Sequence, residues 1–462
     1  MNAHPDLIRD RLIDIVGESH VHGTELLSSR DPGFHPDNLS APFAIYPGTT
    51  DEVAAVVTLC AEHQVPIVPH GGLTGLSGGA VSNLDALIVG LRRMAAIEKI
   101  DADAGTINVQ CGATLQSVEE AANKVGLSVG IDLGARGTAT IGGMIATNAG
   151  GMEVFRYGSM RHRILGIEAV LANGETFNDM SEVSKCNEGY DLKQLFCGSE
   201  GTLGLITRAV LRLIPAIAPS STLLIACENA ADARLVTRAC QKAQAFDVLQ
   251  TEIMWRNYAT TVAKEIGLSN VLKFCDAPVY LIVELAARIE DSEGHLLAIF
   301  ADETVQRAMI DCVVATSEKQ RAEIWRIREE SFVVDNTVAH CQWFDITVPI
   351  GRIDQTVADI ENRLKEIDSG IGIWVMAHLS DGNLHYTIGN GQPTDTTRQT
   401  AISDAVYTEL KAIGGSFSAE HGIGIEKRAS LAKYSAPEKM RLMQAIKRVF
   451  DPQGIMNPGK VL

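Results

Sequence analysis

Pro69-His-Gly-Gly-Leu-Thr-Gly-Leu-Ser-Gly-Gly79 follows directly on a short strand-like run, Val65 to Pro69. Glycine accepts positive φ and close backbone approach, so a loop this dense in it can turn several N–H groups towards one anion. The spacing is neither the dinucleotide fingerprint G-x-G-x-x-G nor a P-loop ending in Gly-Lys-Ser/Thr, which disfavours nicotinamide cofactors and ATP. Upstream, a capped, acid-first helix is expected over Thr50–Gln64. Downstream, strands are expected at Ala86–Gly90 and Thr106–Gln110, then a helix from Thr114 that stops at Gly126. Ile164–Leu171 runs into Asn173-Gly174, a two-residue hairpin signal, and Leu205–Leu213 reads as a strand.

Two more loops repeat the glycine theme. Gly134-Ala-Arg-Gly-Thr-Ala-Thr-Ile-Gly-Gly-Met-Ile-Ala-Thr-Asn-Ala-Gly-Gly151 offers small residues, hydroxyls and an amide, and Cys197-Gly-Ser-Glu-Gly-Thr-Leu-Gly204 precedes another strand. A long, extended cofactor needs such a series of anchors. Pro215–Ser221 reads as a linker, with a domain boundary near 218. Beyond it, strands such as Val279–Leu285 and Trp343–Val348 alternate with helices near 230–245, 290–305, 320–334 and 351–367, an order that suits an open sheet with helices on one face.

The whole chain of 462 residues is 46% hydrophobic, enough for more than one core, and carries a net charge of −17. Such a balance repels phosphate backbones and anionic lipid, so nucleic acid is excluded as a partner, and an anionic substrate must be captured by a local cation. The first segment holds Asp6, Arg9, Asp10, Arg11 and Asp14, unlike a signal peptide, and no apolar run is long enough to span a membrane; a cytoplasmic location is expected. The nine cysteines stand singly, as reduced and mostly buried thiols would.

Ala377-His-Leu-Ser-Asp-Gly-Asn-Leu-His-Tyr386 carries a second signal. With Asp381-Gly382 as a two-residue turn, His378 pairs with His385 across the hairpin, Cβ atoms roughly 4.5–5.5 Å apart, near enough for both rings to bind one divalent ion. A histidine pair inside a core hairpin is the alternative. Ser418-Ala-Glu-His-Gly-Ile-Gly-Ile-Glu-Lys-Arg428 adds a carboxylate and an imidazole side by side in a glycine-rich setting.

These three loops in this order, with Arg156-Tyr157-Gly158 after the second and Phe450-Asp-Pro-Gln-Gly-Ile-Met-Asn-Pro-Gly-Lys460 at the end, closely resemble the vanillyl-alcohol oxidase / p-cresol methylhydroxylase (PCMH) FAD superfamily, in its D-lactate, glycolate and D-2-hydroxyglutarate dehydrogenase branch. The resemblance implies an α+β fold: a PCMH-type FAD-binding domain of two α/β subdomains (1–218), an antiparallel-sheet α+β substrate or cap domain (219–415), and a C-terminal helical segment (416–462) completing the active site. It implies non-covalent FAD with its pyrophosphate on Pro69, His70, Gly71, Gly72, Leu73, Thr74, Gly75, Ser77 and Gly78. The remaining cofactor contacts would be Asp132, Gly137, Thr140, Ile141, Gly142, Gly143, Thr147, Asn148, Gly150, Gly151, Tyr157, Gly158, Glu200, Gly201, Gly204, Ile206 and Asn457.

It implies further that His378, His385 and Glu420 hold a divalent metal, zinc by its nitrogen and carboxylate ligands with manganese or iron(II) compatible, and that His421 is the catalytic base. Arg328 matches the branch's substrate-binding arginine; Trp343, Phe332, Thr387 and Asn457 complete the expected substrate contacts. Trp343, Phe332 and Thr387 stand where the branch's D-2-hydroxyglutarate enzymes carry lysine, threonine and asparagine, which favours an apolar or aromatic substrate side chain unless the two aromatics are ordinary core. The expected activity is oxidation of a D-2-hydroxy acid such as D-lactate or D-2-hydroxyglutarate to the 2-keto acid, with an electron-transfer flavoprotein or quinone as acceptor and a homodimer as the assembly. An oxidase using O₂ and a non-catalytic flavoprotein subunit are the alternatives. A zinc hydrolase would have no use for the glycine loops.

Overall fold

The computed structural model describes residues 5–216, 220–289, 292–393 and 395–462. The chain divides into two compact units: Met1–Gly151, Tyr157–Ala216 and Glu420–Leu462 form the first, Met152–Arg156 and Ile217–Ala419 the second. Residues 420–462 therefore belong to the first unit instead of forming a third segment. The cause is backbone pairing: the Ile67 N–H donates to the Ile455 carbonyl and the Asn457 N–H to the Ile67 carbonyl, both at 2.8 Å. The boundary expected near 218 lies outside the described residues, and the flanks of the expected linker are strand, Ile214–Pro215 on one side and Ser220–Cys227 on the other.

The first unit is built on two larger sheets and a two-stranded one, Leu127–Ser128 with Ile214–Pro215. Val21–Gly23, Phe43–Ile45, Leu87–Gly90 and Ile67–His70 lie in that order, the last three mutually parallel. Helix Thr50–His63 has its first turn capped by Thr49, whose hydroxyl accepts from the Glu52 N–H. The second large sheet is antiparallel, in the order Ile97–Asp101, Thr106–Gln110, Leu205–Arg212, Ile164–Val170, Thr176–Asp179. Helices Leu115–Asn123 and Ile141–Thr147 pack on it through Leu115, Val118, Ile141 and Ile145 against Ile107, Val109, Ala209 and Leu211, each fully buried aliphatic side chain contributing about 1.5–3 kcal/mol. The hairpin expected at Asn173-Gly174 forms with a three-residue loop: the Gly174 N–H donates to Leu171, the Leu171 N–H to Glu175, and Gly174 takes φ +83°.

The second unit is one seven-stranded, wholly antiparallel sheet. Its order is Asp311–Val314, Ser220–Cys227, Val279–Ala287, Phe246–Trp255, Gly372–His378, Asn383–Gly389, Gln342–Thr347. Helices on one face were expected, but both faces of its centre are covered. Leu224, Ala226, Tyr280 and Ile282 pack under helices Arg256–Glu265 and Glu318–Glu329. Their alternate neighbours Leu223, Ile225, Leu281 and Val283 are buried as well, with helix Ala230–Lys242 against the same strands.

Candidate functional site

In the first unit the glycine loops interlock at the carboxyl end of the parallel strands, the usual ligand position of an α/β sheet. A Cβ at Gly72 would stand 1.9 Å from the Thr138 carbonyl oxygen, and one at Gly424 1.8 Å from that of Ser77, so only glycine allows these approaches. Thr140 caps helix Ile141–Thr147, its hydroxyl accepting from the Gly143 N–H at 3.3 Å. Asn148 ends that helix at φ +54°, and its Oδ1 accepts from the Arg161 N–H at 2.9 Å and from the Ser159 hydroxyl at 3.0 Å. The third loop docks on the same turn through Gly198 N–H to Ile145 and Glu200 N–H to Ala146.

Glu200 turns its carboxylate the other way, accepting from the N–H groups of Ile423 and Gly424 at 2.7 and 2.8 Å. Burial raises its pKa against the pull of those two bonds. Asn457, 2% exposed, donates its amide to the carbonyls of Gly79 and Glu200 at 3.0 and 2.7 Å, bracing two loops with one side chain. The Glu420 carboxylate accepts from the Gly151 N–H at 2.7 Å, which fixes it, with His421 next in the chain, to the end of the second loop.

This cradle fits FAD. Among the described residues, no backbone N–H from Gly72 to Leu76 donates to a protein acceptor, and Leu73 is held at φ +57°. Consecutive amides left for an outside acceptor suit a pyrophosphate. His70 is only 7% exposed, its Nε2 lies 2.9 Å from the Ala80 carbonyl, and burial pushes its pKa down to about 4.

In the second unit the expected residues gather on one face of the sheet. The expected two-residue turn is replaced by a four-residue one, with His378 opposite Asn383 and Met376 opposite His385. The neighbouring strand takes the turn's first residues: the Leu379 N–H donates to Thr251 and Ser380 Oγ accepts from the Thr251 hydroxyl at 2.6 Å. A slip of two keeps every side chain on its face, so the imidazoles still meet as diagonal neighbours, ring centroids 5.2 Å apart.

Two buried carboxylates missing from the sequence reading stand behind that pair. Glu252, 0% exposed, lies opposite His378 in the ladder; its Oε1 is 2.7 Å from His378 Nδ1 and its Oε2 accepts from Arg328 Nε at 2.7 Å. Burial opposes the charge on Glu252, yet Arg328 and His378 outweigh it and hold its pKa below the usual carboxylate range. Asp345 lies opposite His385, 3.8 Å from its Nδ1, and accepts from the Asn383 amide at 2.8 Å and the Ala419 N–H at 3.0 Å. Neither acid carries a motif; the one available signal was a charged residue inside a strand, as in Phe246-Asp-Val-Leu-Gln-Thr-Glu-Ile-Met-Trp255.

Histidines whose Nδ1 faces a carboxylate are the form metal-binding imidazoles take, so the donor set fits a divalent ion on Nε2. Arg328 shares Glu252 with His378. Thr387 lies two residues beyond His385 and opposite Trp343. Trp343 and Phe332 are not core: they are 46% and 47% exposed and meet edge to face at 5.7 Å.

Residues 41–179 match the FAD binding domain model, and 218–461 match that of the FAD linked oxidases, C-terminal domain. The chain belongs to the FAD-linked oxidases. This FAD-linked oxidase is 32% identical to a mitochondrial D-2-hydroxyglutarate dehydrogenase of Bos taurus over 92% of its length and 77% of that protein's. It is 35% identical to a D-2-hydroxyglutarate dehydrogenase of Xanthomonas citri pv. viticola, over 91% and 89% of the two chains. The structure of p-cresol methylhydroxylase with substrate bound shares its fold, with a TM-score of 0.75 at 17% identity over 99% of this chain and 96% of that one. This FAD-linked oxidase is thus an FAD oxidoreductase acting on 2-hydroxy acids, and its relatives support the D-2-hydroxy acid dehydrogenase class.

Proposed function

We propose that the enzyme oxidises a D-2-hydroxy acid to the 2-keto acid with the help of a divalent cation, zinc by its ligands, held by His378, His385 and Glu420. The observation that carries this is the meeting of the two imidazoles, each with a buried carboxylate at its Nδ1. Bound FAD, held non-covalently, supplies the two-electron acceptor, and the bound cation a Lewis acid for the substrate hydroxyl. Support for non-covalent flavin comes from His70, whose Nε2 faces the Ala80 carbonyl.

Arg328 takes the substrate carboxylate; its planar guanidinium suits that geometry, and Glu252 fixes its orientation. Glu252 and Asp345 orient the two imidazoles and favour the tautomer that ligates through Nε2. His421 accepts the hydroxyl proton as C2 gives up a hydride, so the substrate loses two electrons and two hydrogens in total. An electron-transfer flavoprotein or a quinone then takes the electrons onward.

Anaerobic mixing of the yellow holoenzyme with D-2-hydroxy acids tests this. Bleaching of the flavin by the D but not the L isomer, abolished by a chelator and restored by Zn²⁺, is the expected result. Bleaching that is indifferent to chelation would remove the cation from the reaction, and none at all would remove the reaction.

A further inference from the structure

The face that carries the histidines extends past them. Trp343 pairs with Thr387 and Asp345 with His385, so the indole stands one alternation beyond the imidazole on the same side of the sheet. Phe332 follows the helix Glu318–Glu329 that supplies Arg328, and it closes edge to face on Trp343. The large aromatics Tyr258, Tyr280 and Tyr386 of this unit are fully buried, whereas these two rings present nearly half their surface. An open aromatic pair is costly to leave in water and reads as a binding surface.

Its polar surroundings narrow what binds. The Trp343 indole N–H donates to Asp335 at 3.1 Å, so a carboxylate stands beside the rings. Along the strands of this face, among the described residues, no lysine or arginine stands next to the histidines; Arg328 reaches Glu252, the acid behind His378, from the helix Glu318–Glu329. One guanidinium serves the C1 carboxylate of a 2-hydroxy acid. A second carboxylate would need its own cation and would instead meet Asp335 and two aromatic rings.

Resting on the reaction class proposed above, we infer that the substrate is a monocarboxylic D-2-hydroxy acid with an apolar side chain, aromatic or branched aliphatic, that lies against Phe332 and Trp343. A dicarboxylate such as D-2-hydroxyglutarate is disfavoured, whatever the relatives are named for. Phe332 and Trp343 are then the residues that set specificity, with Thr387 opposite Trp343 in the ladder.

Steady-state kcat/KM of the holoenzyme with an artificial acceptor, for D-phenyllactate, D-2-hydroxyisocaproate, D-lactate and D-2-hydroxyglutarate, tests the inference. The first two should exceed D-2-hydroxyglutarate by at least about tenfold. Trp343→Ala should lower the ratio of D-phenyllactate to D-lactate about tenfold, and Trp343→Lys should shift preference towards D-2-hydroxyglutarate. Flavin content and far-ultraviolet circular dichroism identify a variant that has failed to fold; Phe332→Ala then supplies the same ratio from the other ring. D-2-hydroxyglutarate as the preferred substrate, or a ratio unmoved by both alanine variants, would overturn the inference and leave the reaction class standing. No turnover on any of the four acids would overturn both.

Discussion

The glycine cradle of the first unit and the histidine face of the second are built by opposite means. The cradle uses backbone: N–H groups of Gly72 to Leu76 and loops that touch where a Cβ would not fit. The sheet face uses side chains at every second residue, each of its two histidines facing a buried acid from a different strand. The first design is tolerant of side-chain chemistry and intolerant of volume. The second is the reverse.

Substitutions sharpen that contrast. The largest effect should come from His378→Ala or His385→Ala: losing a Lewis-acid cation costs several kcal/mol of transition-state stabilisation, so anaerobic flavin reduction should slow by roughly a thousandfold while FAD content is unchanged. Loss of the flavin in these variants would break the separation between the two regions.

Glu252→Leu should come next, destabilising the second unit by about 3–5 kcal/mol in thermal or urea unfolding, because it leaves the Arg328 guanidinium buried and uncompensated. The milder Glu252→Gln should lower metal affinity about 10- to 100-fold and weaken substrate binding, by loosening His378 and Arg328 together. Glu252 also sets a pH dependence. Its folded-state pKa lies below the unfolded carboxylate value, so its stabilisation is full above that unfolded value and is lost as pH falls through the lower, folded one. Unfolding of the wild type should show this acid-side loss, and Glu252→Gln should remove that part of it.

Gly72→Ala is the matching probe of the cradle. The added methyl meets the Thr138 carbonyl, so a cost of about 1–3 kcal/mol is expected, seen as weakened FAD retention with the metal content unaltered. Retained flavin and normal turnover would show that the loops have more room than their geometry gives them.

The same contrast explains what could be read in the sequence. Backbone chemistry writes itself into composition, because close approaches such as those at Gly72, Gly424 and Gly174 select glycine, and the three glycine loops are visible as text. Paired strand residues are written nowhere. Glu252 meets His378, and Asp345 meets His385, only through the register of four strands. Phe246–Trp255, interrupted by Asp247, Gln250 and Glu252, lacked the alternation that would have marked it as a central strand. The hairpin forms where Asp381-Gly382 marks it, but with a longer turn and a shifted register, since the bonds between Thr251 and Leu379 and Ser380 come from a strand distant in sequence. The imidazoles met all the same, because the error was an even number of residues.

In the proposed reaction the paired histidines hold a cation that the chemistry requires. Metal content per chain, determined by elemental analysis on the purified holoenzyme and on a His378→Ala/His385→Ala double variant of equal flavin content, tests it most directly. One divalent ion per chain in the first and none in the second is the predicted result. Equal metal in both, or a metal-free wild type that reduces its flavin at full rate, would contradict it.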